Sequence, residues 1–391
     1  MELRPGYKQT EVGAFPEGWE ITELGKLFSF KNGVNAEKHA YGAGIRFINV
    51  LEAISYSHLR GEETTGRVTL PDSVVDIYAV KHGDVLFNRT SETDSELALA
   101  ATYIGAEKVV FGGFVIRGRP LGKQLDPFYC GYALRAPVLR SQIIPMGQGA
   151  VRANIGQESL SRVLAPVPPL AEQRAIATAL SDVDALITGL EQLIAKKRDL
   201  KQAAMQQLLT GQTRLPGFSG EWEMKRLGDV LTICHGKSQK EVEVDDGPYP
   251  ILATGGQIGT ASRPLYDKPS VLIGRKGTIN QPQYMEVPFW TVDTLFYSAI
   301  KGENSAKFLY YRFLLIDWMQ YNEASGVPSL NARTIENIEF LCPDPSEQTA
   351  IATVLSEMDA ELAALEARLA KTRALKQGMM QELLTGRTRL V

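Results

Sequence analysis

Glu172–Gln202 reads EQRAIATALSDVDALITGLEQLIAKKRDLKQ, and Glu347–Gln377 reads EQTAIATVLSEMDAELAALEARLAKTRALKQ. Both runs go on to similar endings, LLTGQTRL (Leu208–Leu215) and LLTGRTRL (Leu383–Leu390). A constant offset of 175 aligns them without a gap, and 27 of the 46 pairs from Leu170/Pro345 to Leu215/Leu390 are identical. Register is preserved throughout, so the chain contains an internal duplication, and the repeat organises everything else.

The repeated runs carry a helical pattern. Apolar residues fall at Ile176, Leu180, Val183, Ile187, Leu190 and Ile194, and again at Ile351, Leu355, Met358, Leu362, Leu365 and Leu369. Alternating steps of four and three make an a/d seam of period 3.5, which favours long helices packed side by side. Pro169 and Pro345 suit helix starts, and Thr210-Gly211 and Thr385-Gly386 suit helix ends. About 38 residues at 1.5 Å each give a rod of roughly 55 Å. One such rod must bury its seam elsewhere; two in one chain can bury theirs against each other.

The chain of 391 residues has room for two or three domains. Hydrophobic content of 44% and charge of 22% describe an ordinary globular balance and exclude wholesale disorder. Cys130, Cys234 and Cys342 form no CxxC pattern, which argues against a disulfide framework or a zinc knuckle. No apolar run is long enough to span a membrane, and MELRPGYKQTEVG has no signal-peptide core, so a cytoplasmic protein is expected. Net charge is -3, and residues 1–169 carry 18 basic and 18 acidic side chains against 12 and 16 in residues 216–344. Neither segment is the basic block by which nucleic-acid binders usually announce themselves.

The repeats punctuate two globular segments, giving the order 1–169, helix 170–215, 216–344, helix 345–391. The globules resemble each other at their starts. Trp19-Glu20 parallels Trp222-Glu223, Leu24-Gly25 parallels Leu227-Gly228, and Gly33 parallels Gly236. Here the offset is 203, so the first globule is 28 residues longer, and the surplus is placed in Glu52–Val80. Candidate strands are Ile45–Val50 and Pro250–Thr254, Asp84–Asn88 and Ser270–Gly274, then Phe114–Arg117 and Thr294–Ile300. Phe308–Trp318 reads as a buried helix, with Asp126–Ser141 as its counterpart.

No catalytic constellation is present. The sequence lacks a phosphate loop, a dinucleotide-binding glycine motif, a GxSxG elbow, the Asn/Asp-Pro-Pro-aromatic motif of amino-methyltransferases, and an acidic-x-Lys partner for Pro71-Asp72. The loops do hold groups able to read bases and phosphates. Asn88-Arg89-Thr90-Ser91 follows one strand, and Arg275-Lys276-Gly277-Thr278 follows its counterpart. A second pair precedes each long helix: Gln148–Asn154, with Arg152 and Asn154, and Ser325–Asn331, with Ser329 and Asn331. A third cluster is Lys237, Gln239 and Lys240. Arg, Lys, Asn and Gln supply the donor and acceptor pairs that read groove edges. Each such residue alone is more often simply solvated; recurrence at matching places in both halves is what singles these out.

The chain resembles the DNA specificity (S) subunit of a Type I restriction–modification enzyme. The residues that carry the likeness are Pro168-Pro169-Leu170-Ala171-Glu172-Gln173 with Leu208–Gly211, Pro343–Gln348 with Leu383–Gly386, the phrase Val271–Asn280 (VLIGRKGTIN), and Ser325–Asn331. The resemblance covers essentially the whole chain. It implies an α+β fold in which two mixed α/β target recognition domains alternate with two long helices. These helices would form an intramolecular antiparallel coiled coil with pseudo-two-fold symmetry. Each globule would read one half of a bipartite DNA sequence, with the helices as a ruler for the spacer. Two methyltransferase (M) subunits would dock on the helices, and restriction (R) subunits would join them. S-adenosylmethionine, ATP and Mg would belong to those partners, with no cofactor, metal or catalytic residue in this chain. The first domain departs from the pattern, reading Asn88-Arg89-Thr90-Ser91-Glu92 where the second reads Arg275-Lys276-Gly277-Thr278. Rival readings are a coiled-coil protein-interaction scaffold and a self-contained methyltransferase or nuclease. A sequence-specific DNA requirement separates the first rival from the specificity reading, and the missing motifs speak against the second.

Overall fold

The computed structural model describes residues 4–149 and 152–390; Ala150 and Val151, inside the Gln148–Asn154 stretch, lie outside them. Each repeated run is a single helix, Leu170–Leu209 of 40 residues and Pro345–Leu383 of 39. Gly211 (φ +74°) and Gly386 (φ +68°) follow in the left-handed conformation that lets a helix end without a side-chain clash.

The chain divides into two compact units, residues 1–189 with 369–391, and residues 190–368. The division falls inside the helices, not at their ends where the sequence drew its segment boundaries. The reason is that each half-helix shares a core with a globule. In the first unit Ile176, Ala177 and Leu180 pack with Phe15, Trp19, Tyr132, Leu383 and Leu384. In the second Ile351, Ala352 and Leu355 pack with Leu208, Leu209, Tyr311 and Phe313. Within each unit the helical segments run antiparallel. Lys197 pairs with Glu361 at 2.7 Å, and Lys201 further along pairs with the earlier Asp359. In the first unit Glu172 pairs with Arg389 and the later Asp184 with the earlier Lys376.

All twelve seam residues turn inward to some degree. Ile176, Leu180, Leu190, Ile194, Ile351, Leu355 and Leu362 are buried; Val183, Ile187, Met358, Leu365 and Leu369 are half-buried.

The globular part of the first unit is built on a five-stranded sheet in the order Phe28–Asn32, Val115–Pro120, Val85–Asn88, Ala100–Tyr103, His58–Leu59. A second sheet runs Arg67–Val68, Tyr41–Ile48, Val109–Phe111, Ala79–Val80. The second unit repeats this with fewer strands. Its sheets run Leu231–His235, Leu295–Ile300, Ser270–Gly274, Gln283–Met285, and Gly256–Ala261, Tyr249–Ala253, Trp290–Thr291. The strands without counterpart, His58–Leu59 and Ala79–Val80, lie in the surplus stretch with the helices Val50–Ser55 and Asp72–Tyr78. The surplus is thus folded into both sheets.

The shared frame residues have shared jobs. A Cβ on Gly33 would sit 2.0 Å from the Gly112 carbonyl oxygen, and one on Gly236 would sit 2.0 Å from that of Val292. No side chain fits at either place. Leu24 N–H donates to Val163 O and Leu227 N–H to Ile338 O, both at 2.9 Å.

Local expectations need three adjustments. The first-sheet strand begins at Val115, leaving Phe114 outside it and exposed. Asp126–Ser141 is two helices, Pro127–Ala133 and Pro137–Ile143, because Pro137 has no N–H to continue the first and suits the start of the second. The buried helix of the second unit is Ala306–Leu315, followed by a separate 3-10 turn at Trp318–Tyr321.

Candidate nucleic-acid interface

The two strand-end loops occupy matching backbone positions, each in its own unit. Arg89 N–H donates to Phe114 O at 2.8 Å, and Arg275 N–H donates to Thr294 O at 2.8 Å. Ile155 N–H donates to Arg89 O, and Leu330 N–H donates to Arg275 O. Thr90 then bridges Asn154, and Lys276 bridges Ser329. Each loop is therefore held by the segment that precedes the long helix, and the two sequence-derived groups of each unit come together in space. In this pairing the counterpart of Asn154 is Ser329, while Asn331 matches Gly156, both standing at the N-cap of a short helix.

The side chains in the two units are in different states. In the first, Asn88 is fully buried, its Nδ2 donating to Glu96 O at 3.0 Å and its Oδ1 accepting from Thr90 N–H. Ser91 is also buried and donates to Glu96 Oε2 at 3.0 Å. Neither presents a surface that a duplex could reach; both hold the loop's shape. Arg152 is exposed but paired with Glu92 at 2.7 Å. Arg89 is half-buried, with Nη1 on Gly113 O, and Thr90 Oγ1 donates to Asn154 Oδ1 at 2.6 Å.

In the second unit the basic groups are open. Arg275 and Lys276 are exposed, and the Arg275 guanidinium donates to the Asp293 carbonyl at 3.2 Å. Lys237 and Lys240 are exposed as well, with Gln239 half-buried beside them. Among the described residues no carboxylate pairs with any of these four cations. Gly277 (φ +96°) makes the sharp turn after Lys276, its N–H donating to Pro328 O, and Thr278 follows half-buried. Ser329 is half-buried, its N–H held by Asn322 Oδ1. Asn331 is exposed, but its Oδ1 accepts from Arg333 N–H and caps the helix that follows. An exposed Arg-Lys pair on a glycine turn can donate to phosphate oxygens or to guanine edges.

Sequence reasoning did not single out Phe114. It is 54% exposed and stands between two depressions. One is lined by Thr90, Ser91, Glu92 and Arg152, the other by Asn35, Asn49, Leu51 and Arg67. The signal was the dipeptide Gly112-Gly113 before it, which marks a turn, not a strand interior. The frame anchors Glu172-Gln173 and Glu347-Gln348 stood out as a repeat, but their role did not. Glu172 is buried and accepts from Trp19 Nε1 at 2.9 Å while pairing with Arg389. Glu347 repeats this with Trp222 at 3.0 Å and Arg214 at 2.5 Å. Gln173 and Gln348 each donate to the carbonyl of the proline preceding their helix, Pro168 and Pro343, and accept from Asp126 N–H and Ser305 N–H, respectively. The Glu-Gln repeat is thus the joint that fastens each globule to its helix.

Among the described residues, no three His, Cys, Asp or Glu side chains converge as a metal site, and no helix is long and apolar enough to cross a membrane.

Comparison with known proteins bears on this arrangement. The family described as Type I restriction modification DNA specificity domain matches residues 16–198 and 219–372. The chain is 22% identical to the MjaVIII type I restriction enzyme specificity subunit of Methanocaldococcus jannaschii, covering 98% of this chain and 96% of that one. It is 25% identical over half its length to the EcoKI specificity subunit of Escherichia coli K12. The S subunit of a Type I system from M. genitalium has the same fold, with a TM-score of 0.63 at 18% identity and 98% of each chain covered. With two repeated globules, two repeated helices and a match over most of its length, this chain belongs to the Type I restriction–modification DNA specificity family and is a non-catalytic specificity subunit.

Proposed function

We propose that this chain reads a bipartite, asymmetric double-stranded DNA target, one half-site per unit, in the cytoplasm. The observation that carries the reading is a duplicated frame with unlike loops. The backbone bonds of Arg89 and Arg275 are the same, while one loop is internally tied and the other offers free cations. Identical frames with different reading groups suit two different half-sites. The candidate contacts are Arg89, Thr90, Arg152 and Asn154 in the first unit, and Lys237, Gln239, Lys240, Arg275, Lys276, Thr278, Ser329 and Asn331 in the second.

The duplicated helices offer equivalent surfaces to two copies of one partner, the logic of an isologous assembly. That partner is a methyltransferase subunit, with S-adenosylmethionine-dependent adenine methylation as its reaction, and restriction subunits add ATP- and Mg-dependent cleavage. Phosphate neutralisation dominates DNA affinity, and this chain has a net charge of -3. Its partners therefore supply much of the backbone contact, and the isolated chain binds DNA weakly.

Methylome mapping of cells with and without this gene, alongside its neighbouring methyltransferase gene, tests the reading. Loss of one split motif, two short specific halves around a fixed gap, is the expected result. An unchanged methylome in cells that express the chain well overturns it and favours a protein scaffold.

A further inference from the structure

The two units carry different residues at one matching loop position. Arg89 N–H and Arg275 N–H each donate to the carbonyl of the residue across the loop, which is Phe114 in one unit and Thr294 in the other. Phe114 is 54% exposed, although a phenyl ring gains by burial. The loop it belongs to is tightly built. A Cβ on Gly113 would fall 1.9 Å from Asn35 Oδ1, so only glycine allows the Asn35 amide to lie against the Phe114 turn.

Asn35, Asn49, Leu51 and Arg67 line the cleft beside the ring. Asn35 and Asn49 are exposed, and among the described residues no hydrogen bond engages the Asn35 amide. Asn49 stands at the N-cap of Val50–Ser55, where its N–H is held by Glu52 Oε2 at 2.9 Å. Arg67 donates to Gly44 O, and among the described residues no carboxylate pairs with it. Glu52, the acidic group in the cleft, is buried and committed to Asn49.

An amide reads adenine by paired bonds to N6 and N7, and an apolar ring reads the C5-methyl of thymine, both in the major groove. Asn88 and Ser91 of the neighbouring loop cannot supply such contacts, because both are enclosed. Resting on the function proposed above, we infer that the base-reading centre of the first unit is the Phe114 cleft. Phe114 packs on the methyl of a thymine, and the Asn35 amide, with Asn49 beside it, bonds the adenine edge of an A·T pair. The surplus segment contributes Arg67 to this centre, with Leu51 just before it, which gives the segment a role in recognition as well as in the sheets.

The test uses the assembled methyltransferase complex containing this chain and duplexes of the target that methylome mapping returns. Each thymine of both half-sites is replaced in turn by deoxyuridine, which lacks only the C5-methyl. The wild-type complex is expected to lose roughly tenfold in affinity at one thymine of one half-site. Phe114→Ala is expected to bind the unmodified duplex that much more weakly and to be indifferent to deoxyuridine there. Asn35→Ala is expected to relax the choice of base at the same pair. Thr294→Ala should leave that half-site's deoxyuridine profile unchanged. If Phe114→Ala complexes show the wild-type deoxyuridine profile, or if the wild type ignores every substitution and Phe114→Ala binds as well as wild type, the cleft is not the reading centre. That result leaves the specificity-subunit reading standing, whereas the absence of any split motif removes both.

Discussion

Lys376 Nζ lies 2.6 Å from Asp184 Oδ1, and the same carboxylate accepts from the Tyr132 hydroxyl at 2.8 Å. The ring of Tyr132 in turn faces the Lys376 ammonium, 5.5 Å from its centroid. Shifted by one repeat, the second unit has Lys201 on Asp359, Asp359 accepting from Tyr311 at 2.7 Å, and Lys201 5.6 Å from the Tyr311 ring. Ser181 and Ser356 complete the two groups beside the tyrosine oxygens. Each group ties a helix of the globule to both long helices at once. Asp184→Ala should therefore destabilise the first unit by about 1–2 kcal/mol, one hydrogen bond and a partly solvated ion pair. Asp359→Ala should do the same to the second. Urea unfolding of each single variant and the double variant measures this, and near-additive losses are expected because the groups share no partner.

A harsher effect is expected at the anchors. Glu172 is wholly buried against Trp19 and Arg389. Glu172→Ala leaves a buried indole N–H without an acceptor and a guanidinium without its counter-ion, at a cost of roughly 2–4 kcal/mol. Thermal unfolding followed by tryptophan fluorescence reads it directly, since Trp19 loses its partner. A melting temperature equal to wild type would show that the joint carries no stability.

The seam should be unequal in its tolerance. Leu190 is 4% exposed, whereas Leu365 is half-buried. Leu190→Asp buries a charge in an apolar place and should cost on the order of 3–5 kcal/mol. Leu365→Asp should cost distinctly less, because its carboxylate can reach water. Circular dichroism melts of the two variants give the ranking, and equal losses would contradict it.

A pH dependence follows from His58. Its ring meets that of Tyr132 edge to face at 4.8 Å and is held by the Phe128 carbonyl at 2.8 Å, while a Cβ on Gly131 would lie 2.2 Å from Nε2. Burial lowers its pKa from the ordinary 6.5, outweighing the carbonyl and the nearby Asp184, which raise it. The unfolded chain then binds the proton more tightly than the folded one. Stability from this group is complete above about pH 6.5 and is lost as pH falls through the depressed folded value. The expected signature is a pH-dependent difference between wild type and His58→Gln that appears below pH 6.5 in denaturant titrations. A constant difference from pH 8 to pH 5 would refute it.

Arg275 tests recognition without stability. Arg275→Ala removes an exposed cation whose one side-chain hydrogen bond among the described residues is to the Asp293 carbonyl. Folding and subunit assembly should be unchanged, and affinity for one half-site should fall by roughly 1–3 kcal/mol. Lys276→Ala should instead lower affinity across sequences and flatten the salt dependence by about one unit of slope. Filter binding by the assembled complex at several salt concentrations separates the two.

The duplication, the two long helices and the inward seam were legible in the sequence because they depend on local, periodic patterns. An offset of 175 and an apolar spacing of 3.5 need no knowledge of what lies across the fold. The frame glycines Gly33 and Gly236 were legible as a match, though their reason, a carbonyl 2.0 Å from any added Cβ, required the strands to be brought together. The state of each site residue was decided only by tertiary structure. Asn88 ends one strand and Arg275 follows the equivalent strand Ser270–Gly274, yet Asn88 is sealed by Glu96 and Leu99 from its own loop, while Arg275 is left open. Phe114 was taken for the first residue of a strand, because a phenylalanine before Val115-Ile116 reads as one. Its exposure comes from the Gly112-Gly113 turn, against which the Asn35 amide packs from 78 residues before Gly113 in the chain. Periodicity is a property of neighbours along the chain, whereas exposure and pairing are set by segments that meet only after folding.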